Sequence, residues 1–145
     1  MKRLPVFALF LFVACASVPP GGDAEVRTAM NGFLEALNAL DAGAINAHFA
    51  PDATAFFPVV ASERVNGKEA ISEIFRTYVT ETRKNVQRTN IVAEEMRIER
   101  SGDLAVASFQ VHNPSAVSRR SFVLRREGGR WLIVHMHASN FRTAS

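Results

Sequence analysis

The sequence predicts an α+β domain in which three N-terminal helices pack on one face of an antiparallel sheet. Three observations carry that prediction. From Val26 to Val79 apolar residues recur at helical three- and four-residue spacing, whereas from Thr89 to Ser139 they come in strand-length runs divided by turn residues. Helices first and a meander after leave one sheet face for the helices to cover. The chain has 145 residues, 48% of them hydrophobic and 21% charged, which fits one folded domain with one core. Its 11 Phe against one Trp and one Tyr suggest a core walled by rings that need no hydrogen bonds.

Asp23 is a plausible N-cap for a first helix in which Val26, Met30, Phe33, Leu34, Leu37 and Leu40 form the apolar face. Asp41-Ala42-Gly43 breaks it, and Ile45 and Phe49 fall four apart on a short second helix stopped by Pro51. Thr54 to Val60 reads as a short strand, with Pro58 placing its end at an edge or bulge. Asn66, three residues before Glu69, fits the cap of a third helix running to about Arg83, with Ala70, Ile71, Ile74, Phe75, Tyr78 and Val79 inward.

Strands follow over about Thr89–Arg100, Leu104–Asn113, Ser118–Glu127 and Trp131–Ser139, joined by turns at Ser101-Gly102-Asp103, Asn113-Pro114-Ser115 and Glu127-Gly128-Gly129. On the last strand, simple alternation places Trp131, Ile133, His135 and His137 on one side and Leu132, Val134 and Met136 on the other.

The N-terminus reads as a targeting segment, with 1–15 a signal peptide, 16–22 a Pro/Gly tether and 23–142 the single domain. Met1-Lys2-Arg3 is basic, and the apolar run Leu4–Ala14 is too short to span a bilayer but suits a signal core. Phe12-Val13-Ala14-Cys15 resembles a bacterial lipoprotein box, with Phe12 where Leu or Val is usual. Cys15, the one cysteine, then becomes the lipidated first residue of an exported, periplasmic protein. Ala14-Cys15-Ala16 also fits an ordinary signal-peptidase site that releases a soluble periplasmic or secreted protein. Without Lys2 and Arg3 the net charge falls from +3 to +1, and no basic stripe argues for nucleic acid. The folded domain has no disulfide, so its stability must come from its core.

Leu40-Asp41-Ala42-Gly43-Ala44-Ile45-Asn46-Ala47-His48-Phe49-Ala50-Pro51-Asp52-Ala53 is similar to the turn after helix one of the nuclear transport factor 2-like, or SnoaL-like, superfamily. Val65-Asn66-Gly67-Lys68-Glu69-Ala70-Ile71 is similar to that family's entry into its third helix, and Arg130 to Ser139 to its last strand. The resemblance covers about Glu25 to Asn140. It implies a curved-sheet, cone-shaped (cystatin-like) fold, a pocket between sheet and helices, and a homodimer through the sheet. It does not imply a reaction, because members include isomerases, dehydratases, cyclases, a kinase association domain and binders.

The candidate chemistry centres on His135 and His137, which could act as a base and its partner, or as metal ligands with His112 as a third. No Asp, Glu or further His nearby completes a ligand set, so no metal is assigned, and the pair reads first as pocket wall. Trp131, with its indole donor, is the leading pocket-lining candidate, joined by Tyr78, Phe57 and Phe109. Phe56 and Phe75 are further wall candidates, and His48, which could cap the cavity, reads first as a surface or packing residue beside Phe49. Arg64, on a polar connector, and Arg119-Arg120, at a strand start, are positioned to reach a pocket mouth and grip a carboxylate. Arg120, Arg125, Arg126 and Arg130 read first as solvated strand ends. A ketosteroid-type mechanism lacks its carboxylates, since Leu104–Asn113 and Trp131–Ser139 contain no Asp or Glu. No Ser-His-Asp order, phosphate loop or CxxC is present, and nothing calls for a cofactor. The expectation is a small-ligand-binding domain, with a cofactor-free isomerase, dehydratase or cyclase, or a scaffold, as alternatives.

Overall fold

Apolar residues at helical spacing form α1 (Gly22–Asn38), which turns Val26, Met30, Phe33 and Leu34 into the core. The structure, a computed structural model, describes residues 22–58, 60–113 and 116–142. The signal-like segment with Cys15, and all of the tether but Gly22, lie outside the described residues. Beyond α1 the buried Leu40 takes a left-handed φ of 54°. The Asp41 carboxylate then accepts from the Ala44 amide at 2.9 Å, capping α2 (Ala42–Ala47).

β1 (Phe49–Phe56) starts five residues earlier than the sequence suggests, and Pro51 lies inside it. The proline is tolerated because the ladder to the last strand is irregular between Phe49 and Thr54, so no bond from its nitrogen is required there. β2 (Val65–Asn66) pairs back on β1, and α3 (Lys68–Arg83) follows. Asn66 does not cap α3: Gly67, at φ 88°, holds the cap position without a side-chain bond. The Asn66 amide instead accepts from Arg64 Nε at 2.9 Å. The third helix therefore comes after β1 and β2.

The meander is β3 (Glu94–Ser101), β4 (Leu104–Asn113), β5 (Ala116–Glu127) and β6 (Arg130–Arg142). β3 begins later than expected because Asn38, at the end of α1, takes up the backbone before it. The Asn38 side chain accepts from the Ile91 amide at 2.6 Å and donates to the Ile91 carbonyl at 3.0 Å. The sheet order is β2-β1-β6-β5-β4-β3. β1 runs parallel to β6, so the sheet is mixed and not wholly antiparallel as the pattern suggested. Hydrophobic alternation specifies which face is buried but says nothing about strand direction.

One irregularity governs everything that follows. Ile133 pairs with Leu124 and His135 with Val123, so Val134 is an extra residue, a β-bulge. Before it, Trp131 and Ile133 point inward; after it, the inward residues are Met136 and Ala138. His135 and His137 are thereby turned to the outer face, away from Trp131, reversing the simple alternation.

The core lies between the helices and the inner face. Phe33 sits at its centre, edge-on to Phe49, Phe75 and Phe122 with ring centroids 5.8, 6.1 and 5.4 Å away.

Candidate functional site

A cavity of about 300 Å³ opens between α1, α3 and the inner face of the sheet. α1 contributes Phe33, Leu34 and Leu37, and α3 contributes Ile74, Phe75 and Tyr78, successive positions of each helix's inward stripe. Phe109, Val111, Phe122, Met136 and Ala138 form the sheet wall, and Phe57, Pro58, Val60 and Ile91 come from connectors. The Asn38 clamp on Ile91 thus also fixes part of this wall.

The polar groups of the lining are few. On β5, positions 118, 120, 122 and 124 share the inner face, so Ser118 and Arg120 continue the row begun by the buried Phe122 and Leu124. Ser118 Oγ donates to Asn140 Oδ1 at 2.9 Å. Arg120 Nη1 donates to the carbonyls of Arg119 at 3.0 Å and Ser139 at 3.2 Å, with Asn140 Oδ1 at 3.5 Å. Burial draws the Arg120 pKa below that of an ordinary arginine, and it makes no ion pair among the described residues. Tyr78 supplies a hydroxyl that makes no hydrogen bond among the described residues. No Asp, Glu or His lines the cavity. Residues 1–21, 59, 114–115 and 143–145, outside the described set, contain none either.

Of the candidate residues, Tyr78, Phe57 and Phe109 line this cavity, as does Phe75. Trp131 does not. It is buried toward the other end of the inner face, where its Nε1 lies 3.3 Å from Glu25 Oε2 and the Arg100 guanidinium covers its ring at 5.4 Å. The Val134 bulge removes the histidines from the wall as well: Trp131 shares its face with the cavity, but His135 and His137 do not.

His135, His137 and Arg64 do come together, on the outer face. The register sets Thr54 beside His135 and Phe56 beside His137. Thr54 Oγ1 and His135 Nδ1 share a 2.7 Å hydrogen bond, and the Phe56 ring lies 5.8 Å from both imidazoles. The His135 pKa is lowered by burial first, then by His137 and by the Arg64 charge. His112 is not a third member: it pairs with Glu94 at 2.9 Å on β4, and no cluster of three metal-binding side chains exists among the described residues. His48 packs edge-on to Phe33 at 6.0 Å, its pKa lowered by burial and then by Arg130.

The other arginines are engaged elsewhere. Arg119 stacks over Phe141 at 5.3 Å, Arg125 pairs with Asp52 at 2.9 Å, Arg126 lies 3.5 Å from Glu25, and Arg130 donates to the Ala47 carbonyl at 3.2 Å. Arg120, named in the sequence as able to reach a pocket mouth but read first as a solvated strand end, is thus the arginine that lines the cavity. Its signal was being in phase with Phe122 and Leu124.

The profile of the SnoaL-like domain matches residues 26–143. No curated protein matches the chain. Among solved structures, a nuclear transport factor 2-like protein of unknown function from Pseudomonas putida KT2440 is 24% identical, with TM-score 0.72 over 80% of this chain and 84% of that one. A protein provisionally named a dehydratase of the same family, from Streptomyces avermitilis, is 14% identical, with TM-score 0.72 over 86% and 99%. The CamKII hub homology domain of Chlamydamonas reinhardtii is 22% identical, with TM-score 0.65 over 82% and 98%. At these identities the likeness is one of fold.

Proposed function

The chain belongs to the family of SnoaL-like domains, and from its cavity we propose that it binds a small, partly apolar molecule between helices and sheet. The observation that carries this reading is the lining itself: about 300 Å³ walled by aromatic and aliphatic side chains, with Tyr78, Ser118 and Arg120 as its polar side chains. Pockets of this size and make-up suit small ligands. An isomerase, dehydratase or cyclase needs a base within reach of its substrate. Using His135 or His137 for that purpose would place the substrate on the outer face, away from the cavity. The reading is therefore a binder.

Ala138→Leu tests it, because the added side chain occupies the cavity without removing a wall. Apolar ligands that raise the melting temperature of the parent protein are expected to lose that effect in a folded Ala138→Leu protein. A panel of carboxylates and sterol- or polyketide-like compounds that never shifts the parent would contradict the proposal.

A second reading, self-association through the sheet, is favoured by the outer face. Phe56, Val106, Leu104 and Phe141 are 38%, 44%, 51% and 57% exposed there; Phe56 pairs with His137, and Val123 joins Val106 to His135 across the sheet. The hub homology domain of similar fold fits such a role. Val106→Asp is expected to convert a dimer to monomer in sedimentation; a parent protein that is already monomeric would sink this reading. From the signal-like N-terminal sequence we also propose that the domain lies outside the cytoplasm, anchored at Cys15. A Cys15→Ser protein that remained in the membrane fraction would contradict the anchor.

A further inference from the structure

Arg120 is a cation on an apolar wall without a counter-ion, and half of its hydrogen-bonding edge is unspent. A guanidinium carries five N–H donors in a fixed plane. Nη1 alone is bonded, to the carbonyls of Arg119 and Ser139 at 3.0 and 3.2 Å. These bonds, with Asn140 Oδ1 at 3.5 Å, hold the plane in place. Nε and Nη2 have no partner among the described residues. They are not sealed off either, since among the described residues the one buried side-chain nitrogen or oxygen lacking a partner is Asn46 Oδ1. The Nε–Nη2 edge is the side of the fork that a carboxylate takes with two parallel bonds.

We propose that Arg120 is a carboxylate-binding subsite and that the cavity takes an apolar monocarboxylic acid, its head on Arg120 and its body between Phe33, Phe75, Phe109 and Met136. This rests on the binding reading above and narrows it to a ligand class. One fixed guanidinium balances one negative charge. A phosphate ester would bring a second charge that nothing in the lining offsets, and desolvating it there is costly. A cationic ligand would meet Arg120 with no carboxylate to receive it. A neutral ligand would leave the arginine half-buried and unpaired.

The test uses the purified protein and four probes: octanoate, hexanoate, 1-octanol and octyl phosphate, titrated by calorimetry at neutral pH. Octanoate is expected to bind about tenfold to a hundredfold tighter than 1-octanol, the usual worth of hydrogen bonds to a charged group. It should exceed hexanoate by about fourfold per methylene, as burial of each group implies. In Arg120→Met the preference for the acid should vanish while 1-octanol binding persists. Arg120→Lys, which keeps the charge but not the fork, should fall between. The acid-to-alcohol ratio in the unmodified protein reads the proposal even where a variant fails to fold. Equal binding of acid and alcohol, untouched by Arg120→Met, would make Arg120 a tie between β5 and β6 only and leave the cavity reading standing. Tighter binding of octyl phosphate would overturn the monocarboxylate class. If no probe binds, both this proposal and the apolar-binding reading fall.

Discussion

Phe33 and Arg120 occupy opposite roles on the same cavity, and each was legible to a different degree. Phe33 stands in the helical stripe between Met30 and Leu37, so its burial followed from spacing alone. Its ring contacts with Phe49, Phe75 and Phe122 make it the central packing residue. Phe33→Ala is expected to cost about 3–5 kcal/mol in urea unfolding, as large core truncations do. Arg120 was only half legible: it is in phase with Phe122 and Leu124, but Val123 is apolar at the other phase, so the pattern alone does not say which face Arg120 joins. The histidines give the residue-scale pH prediction. The His48 and His135 pKa values are lowered, chiefly by burial, from an ordinary 6.5. Between the lowered values and 6.5 the unfolded chain binds more protons, so stability rises with pH there. The melting temperature should hold above pH 6.5 and fall as pH drops below it, and His135→Gln with His48→Gln should flatten the profile. A melting temperature that rises on acidification through that range would contradict the assignment.

At the scale of elements, the long amphipathic helices and the turn-bounded strands were plain: β4 spans Leu104–Asn113 and α3 ends at Arg83, both as the pattern indicates. Two failures have physical causes. The start of β1 was hidden by Pro51, which ordinarily argues against a strand and is tolerated here at an irregular stretch of ladder. The Val134 bulge was hidden because alternation assumes one residue per position, and an inserted residue reverses every side chain after it. That insertion moves Met136 and Ala138 into the cavity and His135 and His137 out of it. An apparent catalytic pair in sequence thus becomes part of an outer surface with Thr54, Phe56 and Arg64.

For the whole molecule, the α+β layout was readable from helices preceding strands, while the parallel pairing of β1 with β6 was not, since direction leaves no trace in hydrophobicity. The result is a sheet with two distinct faces. The inner one encloses a cavity with a single arginine, and the outer one carries exposed Phe56, Leu104 and Val106 as well as the histidines. The two faces separate the binding and self-association readings, and one experiment can address the first directly. In methyl NMR during an octanoate titration, Met136 and Ala138, which line the cavity, should shift saturably while Val106 on the outer face stays still. Shifts confined to Val106 and its outer-face neighbours, with Met136 and Ala138 unmoved, would contradict the account.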